Sequence, residues 1–170
     1  MSDSVAALVP VEVIRTLRWR VLRPTQPREA AVYPGDDGPE TFHVAVLARD
    51  ADAVPAPDAD ALLAGDADAV LAGDADAVLA CASFYLEPTP DGRPGWRLRG
   101  MAAAVPRRGH GTAALLFGWE EVRRRGGALV WCNARLTAVP FYQRHGFVVT
   151  SGEFDVPPLG LHVRMEKTLP

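Results

Sequence analysis

The sequence contains few cysteines and no excess of positive charge. Its 170 residues include only two cysteines, Cys81 and Cys132, and each lies inside an apolar run. Cysteines in such runs are typical of small buried side chains, so we expect neither a disulfide nor a metal pair. The formal net charge is -3, which leaves no extended basic field to hold a polyanion. We therefore expect no general binding of nucleic acid.

Targeting signals and long apolar runs are also missing. The residues Met1-Ser2-Asp3-Ser4 lack the basic region of a signal peptide, and no apolar run approaches the roughly 20 residues of a membrane span. His43, His110 and His145 are scattered, without the spacing of metal ligands. We expect a cytoplasmic protein with no metal and no membrane contact, folded as one domain over residues 1–170.

A tandem repeat interrupts the pattern of secondary structure. Residues 57–80 contain an eight-residue unit in which Asp and Ala alternate, and the form Gly-Asp-Ala-Asp-Ala-Val-Leu-Ala occurs twice. A calcium loop needs more oxygen ligands at fixed offsets than this unit supplies. Because the free-energy cost of a longer loop grows only logarithmically, the repeat indicates a low-complexity surface insertion at about 51–76.

The remaining segments alternate between helical and extended patterns. Pro10 precedes apolar residues at helical spacing, from Val11 to Val21, and Pro24 ends this predicted helix. Its arginines at 15, 18, 20 and 23 are typical of a solvent-exposed face. Strands are predicted at 41–48, 77–86, 96–105, 128–132, 147–150 and 162–167, with helices at 115–125 and 137–145. This order favours an α/β fold.

A glycine-rich turn, Arg107-Arg108-Gly109-His110-Gly111, lies between a predicted strand and a predicted helix. Such a turn leaves backbone N–H groups at the positive end of the helix dipole, where they can bind a phosphate. Gly109-x-Gly111-x-x-Ala114 also fits a dinucleotide fingerprint. That fold, however, needs an acidic residue where this chain has Cys132-Asn133. A nicotinamide-dependent oxidoreductase therefore remains only a remote alternative.

Two motifs together resemble the GNAT superfamily of acyl-CoA N-acyltransferases. The stretch from Arg108 to Ala113 fits that family's phosphate loop, Gln/Arg-x-x-Gly-x-Gly/Ala. Asn133, followed by an aromatic segment that runs from Phe141 to Phe147, is similar to its second signature. The resemblance implies an α/β fold with a mixed, mostly antiparallel sheet, flanked by helices and splayed to form a cofactor cleft. It also implies acetyl-CoA as the donor of the acyl group.

The resemblance also implies roles for individual residues. Tyr142 matches the family position whose phenol protonates the departing CoA thiolate. Many members carry a glutamate that acts as the general base on the strand before the loop. This chain has Arg97 and Arg99 on that strand, so the resemblance does not identify its general base. The candidates for the base are Glu87, Glu153, Asp155 and His162. The implied cofactor-binding residues are Met101, Ala102, Ala103, Arg108, Gly109, His110, Gly111, Thr112, Ala113 and Asn133.

The expected reaction is acetyl transfer from acetyl-CoA to a primary amine of a small molecule or peptide. Direct attack in a ternary complex is expected, because neither Cys81 nor Cys132 has a nearby His/Asn pattern and no Gly-x-Ser-x-Gly elbow occurs. The missing strand glutamate leaves an alternative, a catalytically silent acyl-CoA-binding regulatory module. The sequence does not identify the acceptor amine, and it does not determine whether the protein forms a homodimer.

Overall fold

The computed structural model describes residues 4–49 and 77–170, so the predicted insertion at 51–76 lies outside the described residues. The chain groups into two compact units. Unit one comprises Met1–Phe84 and Gly100–Gly118, and unit two comprises Tyr85–Arg99 and Trp119–Pro170. The prediction of a single domain stays a prediction.

Unit one contains three antiparallel strands, one long helix and the start of a second. Its elements are β1 (Ser4–Val9), α1 (Val11–Leu22), a 3-10 helix (Arg28–Ala31), β2 (Phe42–Ala48), β3 (Val78–Leu86, shared with unit two) and the first part of α2 (His110–Arg124). The strand order is β1-β2-β3. The register pairs Val9 with His43, and His43 with Ser83. Residues near one end of each strand are thereby brought side by side.

Helix α1 forms as predicted, because the extended Pro10 precedes it and apolar residues follow at helical spacing. Ile14 is fully buried and Leu17 nearly so, in a core cluster that also contains Ala45 and Cys81. The apolar face of α1 therefore packs on the strands of unit one. The stretch before Pro10, which the sequence marks only as apolar, is strand β1.

Unit two is built around a long antiparallel strand pair. Its elements are β4 (Trp96–Ala103, shared with unit one), the end of α2, β5 (Leu129–Arg135), a 3-10 helix (Leu136–Ala138), α3 (Val139–Arg144), β6 (Val148–Val149), β7 (Phe154–Asp155) and β8 (Leu161–Thr168). The strand order is β4-β5-β8-β6, with β7 also paired to β8. Strands β4 and β5 run parallel, and their register covers two residue pairs.

The predicted mixed, mostly antiparallel α/β fold is confirmed, although several boundaries differ. Helix α2 starts at His110 rather than at residue 115, because the Ala113 N–H already donates to the Gly109 carbonyl at 2.9 Å. Strand β5 extends to Arg135, so Asn133 lies inside the strand rather than at its end. Within residues 4–49 and 77–170, no helix has the length and apolar character that crossing a bilayer requires.

Candidate functional site

The predicted phosphate loop lies in unit one and has an unusual backbone. Residues 104–109 are all exposed, and two of them adopt left-handed conformations, Arg107 with φ 63° and Gly109 with φ 83°. Helix α2 follows directly, and the first N–H groups of an α-helix in general have no partners within the helix itself. Left-handed residues before a helix form a concave set of N–H donors that suits an anion. The loop therefore has the local geometry of a phosphate site.

The segment Met101–Ala103, predicted to pair with the pantetheine arm, is anchored at both ends within unit one. Before it, the Gly100 carbonyl accepts a hydrogen bond from the Cys81 thiol at 3.5 Å. After it, the Ala104 N–H donates to the Leu79 carbonyl at 2.9 Å. These two bonds fix the path of the segment on the side of β3.

Gly100 makes a kink in β4, with φ 62° in the interior of a strand. A Cβ at this position would lie 2.7 Å from Nε of Arg18. Only glycine combines this left-handed conformation with so close an approach. The kink that leads into Met101–Ala103 is therefore packed directly against the Arg18 guanidinium.

Arg18 belongs to a ring of buried polar side chains that the sequence analysis missed. The arginine Nη1 donates to the Asp36 carboxylate at 2.8 Å, and Nη2 donates to Ser83 Oγ at 2.5 Å. The Ser83 hydroxyl then bonds to His43 Nδ1 at 2.7 Å, and His43 Nε2 bonds to the Asp36 carbonyl at 2.9 Å. We call these four residues the buried ring.

The hydrogen bonds of the buried ring define the protonation of His43. Because Ser83 Oγ accepts from Arg18, its hydroxyl proton is directed to His43 Nδ1, and His43 donates through Nε2. Burial lowers the pKa of His43, and the nearby Arg18 charge lowers it further, while the Asp36 hydrogen bond acts in the opposite direction. The ring therefore holds a neutral histidine beside a permanent cation.

The position of Arg18 contradicts one prediction made from the sequence. The helical pattern assigns it to a solvent-exposed face, whereas its side chain is fully buried. The signal was present, since Arg18 follows Ile14 by four residues and so shares the buried face of α1. Its partners are distant in sequence, with Asp36 and Ser83 lying 18 and 65 residues away.

Tyr142, the predicted acid, is buried in unit two on helix α3. Its ring makes edge contacts with Phe141 and Phe147 at centroid distances of 5.3 and 5.2 Å, and its hydroxyl bonds to the Cys132 thiol. Burial raises the pKa of Tyr142 well above its usual range. The phenol keeps its proton at neutral pH, as any tyrosine does, and the raised pKa makes it a weaker acid than an exposed tyrosine.

Asn133 and His162 lie on the ladder between β5 and β8. Asn133 pairs with Arg164, and His162 pairs with Arg135. Because side chains alternate across a strand, Asn133 and His162 share one face of this ladder, while Cys132 belongs to the opposite face. The structure thus brings Tyr142 to Cys132 and separates that pair from His162.

His162 has the tautomer that a general base requires. It is 5% exposed, and its Nδ1 lies 2.7 Å from the Gly160 carbonyl oxygen. A carbonyl only accepts hydrogen bonds, so Nδ1 carries a proton, and in the neutral ring the lone pair is on Nε2. The ring also stacks on Phe154 at a centroid distance of 6.2 Å.

The carboxylates predicted as alternative bases have different surroundings. Glu153 and Asp155 are exposed around β7. Glu87 forms an ion pair with Arg97 at 2.8 Å, so its charge is engaged within unit two. Within the part of the chain that the structure describes, no three His, Cys, Asp or Glu side chains are grouped for a metal ion.

Comparison with known proteins supports the resemblance. No family model matches the chain. The uncharacterized N-acetyltransferase YitI of Bacillus subtilis (strain 168) is 29% identical over 169 residues, which cover 95% of this chain and 93% of the relative.

Solved structures show the same fold at lower identity. The GCN5-related N-acetyltransferase of Kribbella flavida aligns with a TM-score of 0.57 and 20% identity, over 98% of both chains. A chain from the NatC complex bound to Gag peptide and CoA aligns with a TM-score of 0.65 and 15% identity, over 99% of both chains. The likeness therefore extends along the whole length of the chain.

Proposed function

We propose that the chain, which is similar to N-acetyltransferases in fold and in sequence along its length, is an acetyl-CoA-dependent N-acetyltransferase. The acceptor is a primary amine of a small molecule or peptide, and the acetyl group moves in a ternary complex. The amine nitrogen attacks the thioester carbonyl, the carbon–sulfur bond breaks, and CoA leaves as a thiol.

One observation carries this proposal, namely the left-handed loop at Arg107 and Gly109 that leads into α2. A loop of this form exposes several N–H donors to one point, and the helix dipole adds positive potential there. Arg108 to Ala113 would then hold the pyrophosphate of the cofactor. Met101–Ala103 would pair with the two amides of pantetheine, as an added strand does.

Tyr142 is the proposed general acid. Collapse of the tetrahedral intermediate expels a thiolate, which must gain a proton, and the buried phenol has a proton to give. Packing against Phe141 and Phe147 holds the ring in place, and the hydroxyl would turn from its hydrogen bond with Cys132 to donate to the thiolate.

His162 is the proposed base among the predicted candidates. Its Nε2 lone pair can take a proton from the amine only through a chain of waters, because His162 lies on the face of the β5–β8 ladder opposite to Cys132 and its partner Tyr142. Glu153 is the alternative, and its exposure makes it easier to reach but less precisely held. Turnover of His162→Gln and Glu153→Gln decides between them, because only the variant that lacks the base should lose most of its activity.

Tyr142→Phe tests the proposed function. The substitution keeps the ring and its packing, so acetyl-CoA should bind with nearly unchanged affinity, while turnover should fall by roughly 10²–10³-fold. Calorimetry measures the affinity, and release of free thiol with a panel of amines measures turnover. Tyr33→Phe is the matched control, because Tyr33 and Tyr142 are both 8% exposed.

The outcomes separate the proposed enzyme from a silent module. Amine-dependent thiol release that Tyr33→Phe retains and Tyr142→Phe loses supports the enzyme and its acid. Binding of acetyl-CoA without thiol release, for any amine of the panel, supports the regulatory module instead. A turnover loss below about threefold in Tyr142→Phe, with chemistry limiting the rate, removes this residue from the mechanism.

A further inference from the structure

Gly100, which precedes the segment Met101–Ala103, is packed between two side chains of unit one. A Cβ at Gly100 would lie 2.7 Å from Nε of Arg18 and 3.1 Å from Cε2 of Tyr33. The Gly100 carbonyl in turn accepts a hydrogen bond from the Cys81 thiol at 3.5 Å. A glycine inside a strand marks a bend or a place where another group approaches the backbone closely, and Gly100 is both.

The guanidinium of Arg18 is held by partners other than Gly100. Its Nη1 donates to the Ala31 carbonyl at 3.0 Å and to the Asp36 carboxylate at 2.8 Å, and its Nη2 donates to Ser83 Oγ. These acceptors lie on the 3-10 helix, on the turn after it and on strand β3. Because the guanidinium is planar and rigid, bonds at both Nη atoms also define where its Nε lies.

The Nε of Arg18 lies against Gly100 although this atom has no hydrogen-bond partner among the described residues. A buried donor without an acceptor costs free energy, so contact with Gly100 is not what attracts the guanidinium. A buried ion pair is also a weak source of stability, since apolar side chains can fill the same space equally well. The bonds at Nη therefore place Arg18, and the backbone at Gly100 conforms to it.

The position of Gly100 affects how the next residues present their peptide groups. Ala102 is 5% exposed and belongs to the core cluster of unit one. Beyond it, the Ala104 N–H is bonded to the Leu79 carbonyl at 2.9 Å. Because successive residues of a strand alternate in direction, a displacement of Gly100 against the fixed Ala104 would turn the peptide groups between them.

We propose that Arg18 is a positioning residue for acetyl-CoA, which holds the kink at Gly100 so that the backbone of Met101–Ala103 can pair with the pantetheine arm. Asp36 and Ser83 contribute by fixing the guanidinium. The inference rests on the proposed function, in which this segment binds pantetheine. It adds that affinity for the arm is controlled from the interior, since Arg18 and Ser83 are fully buried.

Calorimetry with two ligands tests the proposal on the full chain. Acetyl-CoA carries the pantetheine arm, whereas 3′-phospho-ADP, its nucleotide half, carries the pyrophosphate without the arm. Arg18→Lys keeps a positive charge beside Asp36 but removes the planar group that lies against Gly100. The loss of a preorganised segment should weaken acetyl-CoA binding by about tenfold, and the affinity for 3′-phospho-ADP should change by less than about twofold.

A second ring variant and a control accompany Arg18→Lys. Ser83→Ala leaves Arg18 paired with Asp36 and removes only the acceptor of Nη2, so acetyl-CoA should bind about threefold more weakly, with 3′-phospho-ADP again unaffected. Val44→Ala is the matched control, because Val44 is fully buried in unit one but lies on the face of β2 opposite to His43. It should lower the melting temperature and leave both affinities unchanged.

The ratio of the two affinities is the decisive measurement, because a purely structural role of the buried ring would lower the melting temperature without changing that ratio. A loss confined to acetyl-CoA in the ring variants, and absent from Val44→Ala, supports the proposal. An unchanged ratio in either folded ring variant overturns it, and Ser83→Ala decides alone if Arg18→Lys does not fold. The proposed function survives that result as long as the parent protein binds acetyl-CoA. A parent protein that binds neither ligand contradicts the proposed function and this inference together.

Discussion

Gly118→Ala offers a sharp test of how α2 packs in unit one. Alanine is favoured over glycine in a helix interior by about 1 kcal/mol, so helix propensity alone predicts a more stable protein. The structure predicts the opposite. A Cβ at Gly118 would lie 2.1 Å from Cε2 and 2.2 Å from Cζ of Phe84.

The magnitude follows from the surroundings of Phe84. Carbon atoms in contact are separated by about 3.5–4.0 Å, so the ring would have to move by roughly 1.5 Å. Phe84 is fully buried and stacks on Phe42 at 4.9 Å, which leaves it little room. Overpacking of this kind costs about 3 kcal/mol. After the gain in helix propensity, Gly118→Ala should lower the free energy of unfolding by about 2 kcal/mol.

Urea denaturation measures this change, and two further variants control it. In a Phe84→Leu background the clash is relieved, so Gly118→Ala should become neutral or stabilising, with a coupling energy of about 2–3 kcal/mol. Gly152→Ala should change stability by less than about 0.5 kcal/mol, because nothing lies within 4 Å of its Cβ position. A Gly118→Ala protein that is more stable than its parent would refute this account of the packing.

Three other predictions concern protonation, strain and thiol chemistry. Because burial lowers the pKa of His43, its neutral form stabilises the fold above the unfolded-state pKa of about 6.5, and this stability is lost as pH falls. Between pH 7.5 and 5, the free energy of unfolding measured with urea should therefore decrease more for the parent protein than for His43→Gln. An equal decrease in the two proteins would contradict this prediction. Arg107→Gly should be about 1 kcal/mol more stable than Arg108→Gly, since only Arg107 is left-handed, and equal unfolding midpoints would argue against strain. Burial raises the pKa values of Cys81 and Cys132 to about 12, so neither thiol should react with Ellman's reagent at pH 8 until urea unfolds the protein, and rapid native labelling would show that one is accessible.

The sequence predicted those parts of the fold that depend on local chemistry. Pro10 and the spacing of Ile14 and Leu17 define α1, and the glycines around His110 mark the entry into α2. Such features follow from the conformational limits of proline and glycine and from helical periodicity. They need no knowledge of distant residues, so they can be inferred from one sequence.

The candidate site depended more on long-range contacts. The loop residues and Tyr142 could be selected by motif, but the partner of the phenol, Cys132, lies on a different element, strand β5, and only the packing of the folded chain brings the two together. The buried ring was not predicted, because a charged residue on a helix is exposed in most proteins and its compensating groups are spread over three other segments. The tautomer of His162 likewise depends on a carbonyl two residues earlier, whose direction only the turn defines.

The buried ring limits how the sequence of this chain can vary. Each member is hydrogen-bonded to two others, so loss of Asp36 leaves the Arg18 cation uncompensated in the interior, and loss of Ser83 removes the acceptor of Arg18 Nη2. A neutral replacement of Arg18 in turn leaves the Asp36 carboxylate buried without its counter-charge. Only a simultaneous change of several positions avoids burying an unpaired charge of either sign. We expect natural variants to exchange these residues together or to retain them all. Gly100 should change with them, because a larger residue there fits only when the Arg18 side chain is shortened.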